Sequence, residues 1–144
     1  MTHLLDVNVL LAAIWENHPH HERTFRWLAE RQIAVCPLTE LGFLRISTHP
    51  KAIQAPMARA RELLQKFLTE RQAGRISDDL PALDARPQQS DQVTDVYLAT
   101  LADHHGMKLA TLDEKIRHPA VVLVDHLKPA GQAPAQATRV NRAT

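Results

Sequence analysis

Residues 90–113 read SDQVTDVYLATLADHHGMKLATLD. Ser90 is of a type favoured at helix N-caps, Val93, Val96, Tyr97, Leu98 and Leu101 recur at helical spacing, and Gly106 is a helix-ending glycine. The spacing predicts a helix over 91–105. Lys108–Thr111 follows as a short apolar strand, and Asp113 stands just past its end. A helix delivered straight into a buried strand is half of a parallel crossover unit.

The same alternation runs through the rest of the chain. His3–Asp6 reads as a strand entering a helix over Val7–Trp15, and Pro19 then interrupts. A second helix, His20–Arg31, carries Phe25, Trp27 and Leu28, and Ile33–Cys36 is the next strand. Pro37 suits the first turn of a helix reaching Ser47, which His49-Pro50 ends. Met57, Ala60, Leu63, Leu64, Phe67 and Leu68 mark a helix over 56–69, closed by Gly74, with an edge strand at 75–77. Residues 78–89 show no clear period and read as a short helix plus loop, and Ala120–Val124 is the last strand. Strands alternating with helices predict a three-layer α/β/α sandwich around a central, mostly parallel sheet. One domain is expected over 1–127. The last residues, 128–144, lack acids and apolar period and read as a disordered tail.

Composition narrows the class of protein. With 144 residues, 44% hydrophobic and 23% charged, the chain suits one soluble globular domain. No apolar run approaches the roughly 18–20 residues of a membrane span, and the N-terminus has an acid inside its apolar stretch, so a cytoplasmic protein is expected. The single cysteine, Cys36, has no internal partner and reads as a buried thiol. Net charge is only +1, yet Arg45–Arg75 holds seven bases against Glu62 and Glu70, while Asp78–Asp95 holds five aspartates and one base, Arg86. A basic surface for an anionic polymer beside an acidic pocket for cations fits that polarity, as do two solvated faces of opposite sign.

Open parallel sheets bind ligands at the carboxyl ends of their strands. Asp6 and Asp113 stand there, and Glu40 and Asp95 lie in the first turns of their helices, where the positive helix end favours an anion. Singly, each has an ordinary explanation as a cap, a dipole partner or a turn residue. Together, four carboxylates held within a few ångströms require a cation, and hard oxygen ligands favour Mg²⁺ or Mn²⁺. Such a site hydrolyses phosphodiesters through an activated water, with no covalent intermediate.

LLDVNVLL, PLTELGFLR, TDVYLATLADHHGMKLATLDEKI and VVLVD, in that order, resemble the PIN-domain ribonucleases, in particular the VapC toxins of toxin–antitoxin pairs. The resemblance covers about residues 3–127. It implies metal ligation by Asp6 and Asp95, completed by Glu40 and Asp113, with Asn8 and Thr111 orienting carboxylates or water. Arg45 and Ser47 fall where the family often has polar residues near the pocket. The resemblance further implies an endoribonuclease acting on RNA, a homodimer, and a cognate VapB-type antitoxin whose C-terminal part inserts a basic side chain into the acidic pocket. Where relatives often carry an aromatic, this chain has Ile116.

Other groups have plainer readings. Arg59, Arg61 and Lys66 are candidates for RNA or partner contact. Trp15, Phe25, Trp27 and Phe43 sit on apolar stripes and read as packing residues, and the histidines at 18–21 and 104–105 as solvated side chains. Two rival functions follow from the same residues. A non-catalytic RNA- or protein-binding module would keep the fold without cleavage. A Mg²⁺-dependent phosphatase would use Asp6 as nucleophile, but the second aspartate usual there is replaced by Asn8.

Overall fold

A computed structural model describes residues 1–124. The expected boundary at 127 and the tail at 128–144 lie outside the described residues, as does Asp125 of the VVLVD segment.

The chain runs β1 (Thr2–Leu5), α1 (Val7–Ile14), α2 (His21–Leu28), β2 (Gln32–Val35), α3 (Pro37–Thr48), α4 (Met57–Glu70), β3 (Gly74–Arg75), α5 (Val93–His104), β4 (Lys108–Thr111) and β5 (Val121–Leu123). The five strands form one sheet in the order β3-β2-β1-β4-β5, and every pairing is parallel. The three central strands, β2, β1 and β4, are buried on both faces, which is why they are short apolar runs without polar alternation. Leu5, Ile33, Val35 and Ala110 pack on one face against α1, α2, α3 and α4 through Val9, Leu10, Trp27, Leu28, Phe43, Leu64 and Phe67. Leu4 and Leu109 pack on the other face against Leu98, Ala99, Leu101 and Ala102 of α5. The result is the expected α/β/α sandwich, with the sheet wholly parallel.

Strand order turns around at β1. The chain steps outward to β2 and β3, then crosses back to place β4 on the opposite side. The carboxyl ends of β1 and β4 therefore meet at the switch point, where such sheets open a crevice. Gly42 of α3 brings a second element close: a Cβ there would lie 2.5 Å from Cγ2 of Val7, the first residue of α1. Only hydrogen fits between the two helices at that point.

Two boundaries differ from the sequence reading. Gly74 does not close α4, which is capped by Arg71, but opens β3, and the edge strand is Gly74–Arg75 rather than 75–77. Ser90 does not cap α5. Residues Ser90–Gln92 form a 3₁₀ turn, and α5 starts at Val93 behind Gln92, without a side-chain cap. Residues 78–89 hold only a 3₁₀ turn at Ala82–Asp84.

Candidate active site

Asp6 is the first residue beyond β1 and caps α1 from an extended backbone (φ −67°, ψ 160°). Its Oδ1 accepts the Val7 N–H at 2.7 Å, and its Oδ2 accepts the Thr111 hydroxyl at 2.7 Å from the end of β4. The Thr111 oxygen in turn accepts the Asp113 N–H at 3.1 Å and an Asn8 amide N–H at 3.4 Å. Asn8 closes the loop, its Oδ1 accepting the Leu112 N–H at 3.2 Å. Asn8 and Thr111 thus tie the start of α1 to the end of β4 and fix the Asp6 carboxylate between two donors. Asp113 accepts the Lys115 N–H at 2.9 Å, an ordinary turn contact that leaves its second oxygen uncommitted among the described residues.

Asp95 enters from the other side of the sheet, in the first turn of α5. Burial pushes its carboxyl up to about 6, helped by the charges of Asp6, Asp113 and Asp91. Asp6, only 4% exposed, is also pushed up by burial and by Asp113, against the lowering effect of its bonds from Thr111 and Val7. Neither forms an ion pair among the described residues. Two buried carboxylates, Asp6 and Asp95, each raised by burial and by the charge of Asp113, make a site short of positive charge, and its donors are hard oxygens. Those residues fit a divalent ion such as Mg²⁺ or Mn²⁺.

Glu40 is placed differently from the other three. Its Oε2 accepts from Arg75 Nη1 at 2.7 Å, and it is not among the charges that raise Asp6 or Asp95. Arg75, at the end of β3, received no role from the sequence. It stands at the carboxyl edge of the sheet, where a base can reach an acid of α3. No three of the four carboxylates bring their oxygens within 4.8 Å of one another; among the described residues Asp79, His104 and His105 do. The four acids are therefore more open than the sequence expectation of a set within a few ångströms.

The Asp79 group has a simpler role. His105 Nε2 lies 2.8 Å from Asp79 Oδ1, and Tyr97 donates to the Leu80 carbonyl at 2.7 Å, so residues 79–80 are pinned to α5. The His105 contact holds the Asp79 carboxyl below the usual range. His105 is thus less free than the sequence suggested, while His104 is exposed.

The remaining candidates divide. Ser47 is wholly buried and accepts the Trp15 indole N–H at 2.8 Å, which removes it from any substrate surface and corrects the sequence reading. Arg45, Arg59, Arg61 and Lys66 are exposed, with Arg59 paired to Glu62 at 2.8 Å. Trp27, Phe43 and Cys36 are buried as expected, Trp15 stacks on Phe43 with centroids 6.3 Å apart, and Phe25 is half exposed.

Comparison with known proteins agrees with this geometry. Residues 3–122 match the model of the PIN domain. The chain is 38% identical to Ribonuclease VapC38 of Mycobacterium tuberculosis over 76% of this chain and 84% of that protein. It is 34% identical to Ribonuclease VapC39 of the same species over 83% and 94% respectively. Among solved structures, VapBC2 from Rickettsia felis, bound to a DNA fragment from its promoter, has a chain that superposes with a TM-score of 0.58 at 17% identity, covering 85% of this chain and 97% of that one. At that identity the likeness speaks for the fold alone. A wholly parallel sheet with Asp6 and Asp113 at its switch point, a family match across the described domain and relatives this similar over most of their length establish that the chain belongs to the PIN-domain family, in its VapC ribonuclease branch.

Proposed function

We propose that this protein is a divalent-metal-dependent endoribonuclease, the toxin of a toxin–antitoxin pair. The observation that carries this reading is that three aspartates without a cationic partner among the described residues meet at the switch point of a chain whose relatives are VapC ribonucleases.

Asp6, Asp95 and Asp113 are the residues to hold Mg²⁺ or Mn²⁺, with Glu40, here paired to Arg75, as the fourth carboxylate. Divalent ions held there would acidify a water and neutralise charge on the leaving oxygen of a phosphodiester. Thr111 favours the ionised form of Asp6 by donating to Oδ2, against the effect of burial, and Asn8 keeps the Thr111 hydroxyl in place. Burial of the Asp6 carboxylate strengthens its pull on a cation by excluding competing water. Asp113 has a free oxygen to complete the set. Arg45, Arg59, Arg61 and Lys66 are exposed and suited to RNA or partner contact.

The partners follow from the same kinship. The proposed antitoxin is of VapB type, the protein named with VapC in the Rickettsia complex. A homodimer is proposed as well, and exposed Leu38, Leu41 and Ile46 on α3 offer apolar area for either contact. No described helix is long and apolar enough to cross a membrane, in keeping with the proposed cytoplasmic setting.

The test is cleavage of an RNA pool by antitoxin-free protein with Mg²⁺ or Mn²⁺, beside the Asp6→Asn and Asp95→Asn variants. Divalent-dependent cutting that both substitutions reduce by at least about 10²-fold supports the reading. Cutting that persists in chelator, or in both variants, refutes it.

A further inference from the structure

A cleft of about 540 Å³ lies between the 84–92 segment, α5 and the turn after β4, within the roughly 300–1,000 Å³ range of ligand sites. Arg86, Lys115, Arg117 and His118 line it against one acid, Asp84. Among the described residues none of the three bases forms an ion pair, so cationic groups outnumber the one acid of this concavity and none is paired with it. His118 Nδ1 accepts the Ala120 N–H at 3.0 Å, which leaves its ring proton on Nε2 as a further donor. Gln88, Gln89 and Gln92 add amides, each with a donor and an acceptor. No Phe, Tyr or Trp lines the cleft, which favours backbone charge and base edges over stacking as the mode of recognition.

The cleft shares two elements with the acidic centre. Gln92 and Val96 flank Asp95 on its own stretch of chain, and Lys115 follows Asp113, whose Oδ1 holds the Lys115 N–H. The Gln92 amide also reaches the Lys115 carbonyl at 3.4 Å, joining the two walls. An anionic polymer seated on Asp95 and Asp113 would meet these walls through the chain neighbours of both acids. On the strength of the ribonuclease reading, we propose that this cleft holds the RNA strand beside the scissile bond, with Arg86, Lys115 and Arg117 on its phosphates and the glutamine amides facing base edges. The bases that bind substrate are then drawn from the two loops around the acids, which the sequence had passed over in favour of α4.

The experiment measures binding of a fluorescent, unstructured oligoribonucleotide to the Asp95→Asn protein without divalent ions, over a range of KCl concentrations, with and without Arg86→Ala and Arg117→Ala together. Loss of two phosphate contacts reduces the log–log salt slope by about 1.4, at roughly 0.7 per contact for single strands, and lowers affinity at least about tenfold in low salt. Lysine at both positions restores the slope, whereas a merely structural role would give no such rescue. In the otherwise unsubstituted chain the alanine pair raises KM for RNA by more than it lowers kcat. Unchanged affinity and slope overturn the assignment, as does preference for an acidic peptide over RNA. Cutting of RNA by the unsubstituted chain is followed in parallel, so the two readings fail separately. Cleft-dependent binding with no cutting overturns the nuclease and leaves the cleft, while cutting with binding and KM unaltered in the alanine pair overturns the cleft.

Discussion

Asp95→Asn is expected to stabilise the metal-free protein, and by an amount that depends on pH. The Asp95 carboxyl rises from 3.8 to about 6 on folding, first through burial and then through Asp6, Asp113 and Asp91. A group whose affinity for a proton is raised in the fold contributes its full stability below its unfolded value. That contribution is lost as pH climbs through the folded value, here between about 4 and 6. At about 1.36 kcal/mol per pH unit the ceiling is about 3 kcal/mol. Asp95 is only partly buried, and solvent screening reduces this to about 1–2 kcal/mol. For a chain of this length that is roughly 3–8 °C in Tm. Thermal unfolding of wild type and variant is followed in chelator from pH 3.5 to 8. Comparing the two cancels His3, His18 and His20, whose imidazoles are pushed down by burial and act in the opposite sense. The two proteins should melt together near pH 3.5, and the variant should melt higher from pH 6.5 upward. Mn²⁺ should then reverse the order at neutral pH by stabilising wild type alone, since a bound ion needs the deprotonated carboxylates. A difference independent of pH, or a less stable variant at pH 7.5 in chelator, would refute the crowded-carboxylate account.

Two further substitutions probe the supports of the site. Thr111→Val removes the donor to Asp6 Oδ2 and the acceptor of the Asp113 N–H; Mn²⁺ affinity by titration calorimetry should fall about 10–100-fold, with about 1–3 kcal/mol lost from stability. Unchanged affinity would show that the hydroxyl does not position the carboxylate. Gly42→Ala drives a methyl to 2.5 Å from Val7 Cγ2, on a β-branched side chain with little room to turn; a loss of about 1–3 kcal/mol in denaturant unfolding is expected, together with weaker Mn²⁺ binding because Val7 supplies the N–H that holds Asp6 Oδ1. Wild-type stability in that variant would mean the two helices separate freely.

Much of this arrangement was legible before any coordinates. The apolar run ending at Asp6, the helix closed by Gly106 and the strand running to Thr111 are local patterns, set by side-chain periodicity and by the few residue types that cap or break elements. Because strands in such sheets present their carboxyl ends to one crevice, spotting Asp6 and Asp113 past strand ends was enough to bring them together. Ser90 misled because a capping residue type does not choose between an α-helical and a 3₁₀ first turn, which packing of α5 decides.

Pairings between residues distant in sequence were a different matter. That Arg75 takes Glu40, that Thr111 serves Asp6, Asp113 and Asn8 at once, that Ser47 is spent on Trp15, and that Arg86 and Arg117 face one cleft all depend on strand order and on which helix covers which face. Periodicity along a chain says which side of an element is apolar. It carries no information on which neighbour lies opposite, because that is set by the free energy of packing the whole core, and polar contacts at the sheet's edge take whatever positions that packing leaves.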